Sequence, residues 1–129
     1  MKKILTLDEL NVLCKKYQKL FRIQDWEIDI QIVHPDELED RTALAEVDAR
    51  LHSMSVSIRL ADPAVMKDVG NMHVTLIHEL LHVVFHGMVP SNENAKIYDS
   101  LWESGIDRTA NAIYQLSVAV DAGATDESS

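Results

Sequence analysis

Basic residues, cysteines and long apolar runs are all scarce in this sequence, and each scarcity removes a class of protein. Twelve Lys and Arg against twenty-one Asp and Glu leave a net charge of −9. The sequence-independent attraction to a phosphate backbone is therefore missing, and no nucleic-acid partner is expected. The single cysteine, Cys14, excludes an internal disulfide; set in an expected helix, it reads as inert packing. No apolar stretch approaches the about 20 residues that span a bilayer. Polar residues soon follow Lys2 and Lys3, so no signal-peptide core is visible. No membrane partner is expected, and a cytoplasmic location is the default expectation. Internal repeats and low-complexity domains are absent.

What is present suits one small globular domain. The chain has 129 residues, 47% of them hydrophobic, enough for one core. The expected domain covers residues 1–120, and residues 121–129, with Gly, Asp, Glu and a final Ser-Ser, read as a disordered tail.

Thr6-Leu7-Asp8-Glu9 has the form of a capping box. Leu10, Leu13, Tyr17 and Leu20 follow at helical spacing, which predicts a helix over about Thr6 to Phe21. Trp26 to Ile32 alternates apolar and polar residues and predicts a half-buried strand, ended by Pro35. Asp36 to Arg41 reads as a loop or short turn. Ala43 to Arg50 is ambiguous, with Ala45, Val47 and Ala49 favouring a strand. Met54 to Leu60 alternates clearly and is a further strand, stopped by Asp62-Pro63. Gly70-Asn71 opens a long apolar helix to about His86, with Gly87 as its stop and Pro90 beyond. Ser91 is a plausible N-cap for a last helix to about Val118. This order predicts an α+β domain, with a short twisted sheet of about three strands packed on helices.

Residues 78–82 read His-Glu-Leu-Leu-His. On a helix, positions four apart differ by about 40° in direction and about 6 Å in height, so two such imidazoles can share one Zn2+ ion. Glu79 is rotated about 60° from His82. It can border a metal without ligating it and take a proton from bound water. Thr75, His78, Glu79, His82 and His86 fall in one arc of about 100°, and apolar residues fill the rest of the wheel. Such a helix is buried, and a buried polar seam needs partners that a metal ion can supply. The bland alternative, a chance pentapeptide on a solvated face, is expected in about one chain in a few hundred.

A catalytic zinc usually has three protein ligands and one water. Candidates for the third are His86, Glu103, Asp99, Asp107 and the distant His34, His52 and His73. His86 lies about 12 Å along the axis from His78, too far for one ion, and reads as a helix C-terminal or cleft-lining residue. Glu103 is the better candidate. It borders an apolar stripe of Tyr98, Trp102, Ile106, Ile113 and Leu116 that must pack inward. Asp107, one turn on, could accept the other N–H of a ligating histidine. A solvated acidic face is the competing reading for both. Two imidazoles and a carboxylate also suit Fe(II), but a Glu directly after the first His favours zinc.

His78-Glu79-x-x-His82, twenty residues, then Glu103-x-x-x-Asp107 resembles the gluzincin metallopeptidases. The resemblance implies a minimal zincin-like fold. It implies His78, His82 and Glu103 as ligands of one zinc ion, Glu79 as general base, and Asp107 as partner of a ligand histidine. The order of elements over about residues 6–118 is also similar to small phage- and prophage-encoded metallopeptidases. In zincins a strand beside the active helix pairs with an extended peptide, and the resemblance assigns that role to Met54–Leu60. The large second domain of thermolysin-like enzymes has no counterpart, so a transition-state or substrate contact must come from elsewhere; Tyr114, Tyr98 and His52 are the candidates, with Arg108 behind them. The expected partner is a peptide or protein substrate, including one dedicated protein. The alternatives are a catalytically silent, zinc-stabilised binding module and a hydrolase of a non-peptide amide.

Overall fold

The computed structural model describes residues 3–86 and 95–128, the side chains of 95–99 and 122–128 excepted. Helix α1 spans Leu7–Leu20. The Thr6 side chain accepts from Glu9 N–H and the Glu9 carboxylate accepts from Thr6 N–H, as the capping box predicts. Its inner face is Leu10, Cys14 and Tyr17, with Leu13 half-buried, whereas Leu20 is turned to solvent. The helix ends in a Schellman pattern: Ile23 N–H donates to Gln18 O and Arg22 N–H to Lys19 O. Arg22 therefore occupies the left-handed position at φ +58° that glycine usually fills.

Strands β1 (Glu27–Val33), β2 (Ala45–Arg50) and β3 (Ser55–Ala61) form one sheet in the order β1-β3-β2. β1 pairs parallel and β2 antiparallel with β3. The registers align Ile28, Ile30 and Ile32 of β1 with Val56, Ile58 and Leu60 of β3, and these with Ala49, Val47 and Ala45 of β2. One sheet face is thus a grid of apolar side chains; the other carries the serines of β3 and the Arg59–Glu46 ion pair. The ambiguous segment is a strand because its small residues complete that grid. The short turn after β1 is a 3₁₀ turn, Pro35–Glu37.

One expectation is overturned. Met54–Leu60 was to be the strand that accepts a peptide, but β3 is the central strand and both its edges are already hydrogen-bonded. Alternation marks which faces of a strand are buried and carries no information on its neighbours. The edge beside the active helix belongs to β2.

Helix α2 (Met72–Val84) packs over the grid, with Leu76, Ile77 and Leu80 fully buried. Its N-terminus is capped by the Asn71 side chain, which accepts from the N–H groups of His73 and Val74. The chain reverses into that cap at Gly70, whose φ of +69° rather than any crowding requires glycine. Helix α3 (Ala95–Ser128) crosses α2 with Ile106 and Ala110 buried. Leu116, expected in the inward stripe, is exposed; Ala110 sits there instead. α3 also continues past the expected end near Val118, through the segment read as a tail. Extending a helix already nucleated costs little, and Asp121-Ala122-Gly123-Ala124 contains no proline to stop it. Gly87, Pro90 and Ser91 lie outside the described residues, as do the side chains of Tyr98 and Asp99. No helix among the described residues is long and apolar enough to cross a membrane.

A buried polar link ties the three helices together. Tyr17 Oη lies 2.6 Å from His73 Nε2 and 2.9 Å from Ser117 Oγ. His73, weighed above as a distant ligand, is thus a core residue; burial, reinforced by Lys16, holds its pKa below the usual value.

Two outcomes follow from this packing. Arg22→Gly relieves a left-handed non-glycine residue and should raise the unfolding free energy in urea by about 0.5–1 kcal/mol; a destabilisation would show that Arg22 makes a compensating contact. Burial pushes the Cys14 thiol from 9.0 up to about 11, so a thiol reagent at pH 8 should label it about a hundredfold more slowly in the folded protein than in denaturant. Equal rates would place the thiol outside the core.

Candidate metal centre

α2 is buried around most of its girth, and its remaining seam faces α3 across a cleft of about 460 Å³. His78, Glu79 and His82 line that cleft from α2, Glu103 and Asp107 from α3, and Leu44 to Val47 from the β2 edge. The last group escaped sequence reasoning, because the alternation of Ala45 and Val47 reports a buried face and not its position at an edge. Thr75, on the same arc of the wheel, lines the cleft as well.

The packing of Ile106 and Ala110 against α2 turns the neighbouring face of α3, which carries Glu103 and Asp107, toward the histidines. His78 Nε2 lies 3.1 Å from Glu103 Oε2, His82 Nε2 lies 3.0 Å from Glu103 Oε1, and the two Nε2 atoms are 3.2 Å apart. Ligand atoms around a tetrahedral zinc with bonds of about 2.0–2.2 Å stand roughly 3.3–3.6 Å from one another. Each pair is therefore close to that spacing, although Glu103 meets the two rings with different oxygens, and one ligand atom from each of the three residues lies within 4.8 Å of the others. On the far side of the His78 ring, Nδ1 is 3.6 Å from Asp107 Oδ1.

The electrostatics point the same way. Glu79 is only 7% exposed, and its carboxylate has no hydrogen-bond partner among the described residues. Burial first, then the carboxylates of Glu103 and Glu46, push its pKa up to about 7. Burial outweighs the attraction of Glu103 and, with His78 alongside, holds His82 below its ordinary value, which favours the neutral imidazole that a metal requires. Two imidazoles facing each other amid carboxylates make a set of donors that a divalent cation satisfies well. The donor set of two histidines and one carboxylate fits zinc with a position left for water.

The other candidates lie elsewhere. Tyr114 packs edge-on against His73, 5.1 Å between ring centroids, and lines a polar hollow adjoining the cleft. His34 caps the Pro35–Glu37 turn and accepts from Asp36 N–H. His52 sits exposed on the turn between β2 and β3, and Arg108 is exposed on α3. His86 follows α2 and meets Trp26 edge-on.

The expected binding outcome is one zinc ion per chain by elemental analysis, with a rise in melting temperature. His82→Ala or Glu103→Ala should abolish both. Asp107→Ala should weaken affinity about 10–100-fold, the usual effect of removing a partner of a ligand histidine; unchanged affinity would mean that Asp107 does not orient the His78 ring.

No family model, curated protein or solved structure matches the chain. His78, His82 and the distal Glu103 nonetheless form a metal-ready triad that matches the gluzincin pattern, on a minimal zincin-like α+β architecture.

Proposed function

We propose that the cleft is the active site of a zinc-dependent metallopeptidase. The observation that carries this reading is the convergence of His78, His82 and Glu103 on one point, with an unligated Glu79 beside it in an open cleft. His78, His82 and Glu103 would hold the ion, which supplies Lewis acidity toward a water and a scissile carbonyl. Glu79 accepts the proton of the attacking water and returns it to the leaving amine. Its burial matters here, because a carboxylate out of bulk water is a stronger proton acceptor. Asp107 Oδ1, 3.6 Å from His78 Nδ1, would accept that N–H on a small approach and so leave Nε2 as the ligand atom.

The substrate backbone is aligned by β2. No other strand among the described residues pairs with its outer edge, and Ala45 to Val47 line the cleft. An extended peptide added along this edge would pass the metal site, held by main-chain hydrogen bonds. A purely structural zinc is closed by four protein ligands and has no use for an adjacent base. Three donors, a base and an open cleft favour catalysis over a silent zinc module.

Glu79→Gln separates binding from chemistry. It should keep the zinc while lowering the cleavage rate of a denatured protein substrate by about 10²–10⁴, the usual share of a general base. Cleavage by the zinc-loaded variant at the parental rate would remove Glu79 from the mechanism.

A further inference from the structure

Away from the metal cleft, one continuous strip of the surface is apolar. Two hollows along α1 and α3 form it. The first, about 420 Å³, is walled by Leu5, Val12 and Leu13 and reaches the buried His73. The second, about 330 Å³, lies among Leu20, Ile113, Leu116 and Val120. Lys16 and Asp121 line both, so the two make one groove. Val12, Leu20, Leu116 and Val120 are 62–70% exposed along it. Single exposed apolar side chains are ordinary, but contiguous ones mark a surface that meets a partner. Residues 112–120 of α3 read Ala-Ile-Tyr-Gln-Leu-Ser-Val-Ala-Val. A helix apolar around most of its girth is packed on more than one side.

Charge along this strip is polarised. Asp8, Glu9, Val12, Lys16, Lys19 and Leu20 occupy one arc of about 120° on α1. Along the axis the arc is acidic in its first turn, apolar at Val12, and basic toward its end. Such a pattern matches a copy of itself turned end for end. Elsewhere a net charge of −9 sets two copies against each other. None of the residues lining the metal cleft lines either hollow of the strip.

We propose that this strip is the interface of a two-fold homodimer, its occupant a second copy of this chain. A two-fold axis sets one patch against the same patch on the other copy. With the axis beside Val12 and the two α1 helices antiparallel, Asp8 and Glu9 of each copy face Lys19 and Lys16 of the other. Opposite charges then flank an apolar centre at both ends, the arrangement of a specific interface with a polar rim. Leu20 stands about 12 Å along the helix from Val12. It therefore reaches the hollow of Leu5, Val12 and Leu13 on the second copy. Leu116 and Val120, beside Leu20 in the same groove, lose their exposure in the same step. Both metal clefts stay open in this dimer.

The test is sedimentation equilibrium of the full chain from about 1 to 200 μM, because a dimer declares itself by mass action. The parent should fit a monomer–dimer equilibrium. Val12→Asp and Leu20→Asp change exposed positions, so circular dichroism should stay at the parental spectrum. Each should raise the dimer Kd about 30-fold or more, the effect of losing a central apolar contact. Charge reversal is the sharper readout. Lys16→Glu with Lys19→Glu makes both ends of the strip acidic. Asp8→Lys with Glu9→Gln makes both ends basic, and the glutamine keeps the capping box. Each double variant alone should be monomeric, and an equimolar mixture of the two should form a one-to-one dimer. A parent that stays monomeric at about 200 μM would overturn the second-copy reading and leave the strip to another protein or a lipid surface. A dimer that persists in every variant lies on another face and overturns it as well, as does a mixture that remains monomeric.

Discussion

Two imidazoles one helical turn apart, facing a carboxylate from the following helix, are the constraint around which this domain is organised. The seam that carries them lies on a helix otherwise sunk in the core, so water does not satisfy it from all sides. Glu79, Glu103, Asp107 and Glu46 gather negative charge around two imidazoles, and the buried Glu79 resists ionisation in that company. A divalent cation held by His78, His82 and Glu103 would reconcile these groups, offsetting the carboxylates and leaving Glu79 unligated beside it. The same burial that makes the seam costly without metal makes its charges effective with metal, because interactions among them are weakly screened.

The scaffold serves to hold two helices at a set separation. The three-by-three apolar grid of the sheet supports α2 from one side. On the other side α3 approaches through Ile106 and Ala110, and the small side chain of Ala110 lets it come close. Glu103 and Asp107 lie beside that contact, so packing that carries no chemistry determines where the chemical groups stand. At the opposite end of α2 the Tyr17–His73–Ser117 link fastens α1, α2 and α3 to one another through satisfied polar groups. A domain of this size has little apolar surface to spare, and it relies on such links to keep the helices in register.

The sheet also decides how a substrate would reach the metal. With β3 in the centre, the pairing edge beside the cleft falls to β2, whose grid-facing side chains, Ala45, Val47 and Ala49, are short. The groove along that edge is polar at one end and aromatic at the other, with the metal donors between. Main-chain hydrogen bonds along that edge would hold an extended chain in line with the metal donors.

Much of the domain was legible in the sequence because it depends on local spacing. The capping box set the start of α1, the alternation in Trp26–Ile32 and Met54–Leu60 marked two strands, and Asn71 opened α2. The four-residue interval between His78 and His82 places both rings on one helix face in any fold, and Glu79 follows from the same turn. Glu103 was reachable only as one acid among several, until its spacing from the first motif resembled a known pattern. Which strand lies at the edge, how Ala110 admits α3, and why Tyr114 packs on His73 beside the site were not legible, because each depends on residues far apart in the chain meeting in space. Local periodicity dictates which side of each element is buried. Only the packing of elements against one another decides what that side meets, and so the metal pair belonged to the sequence while the third donor and the groove were settled by the tertiary structure.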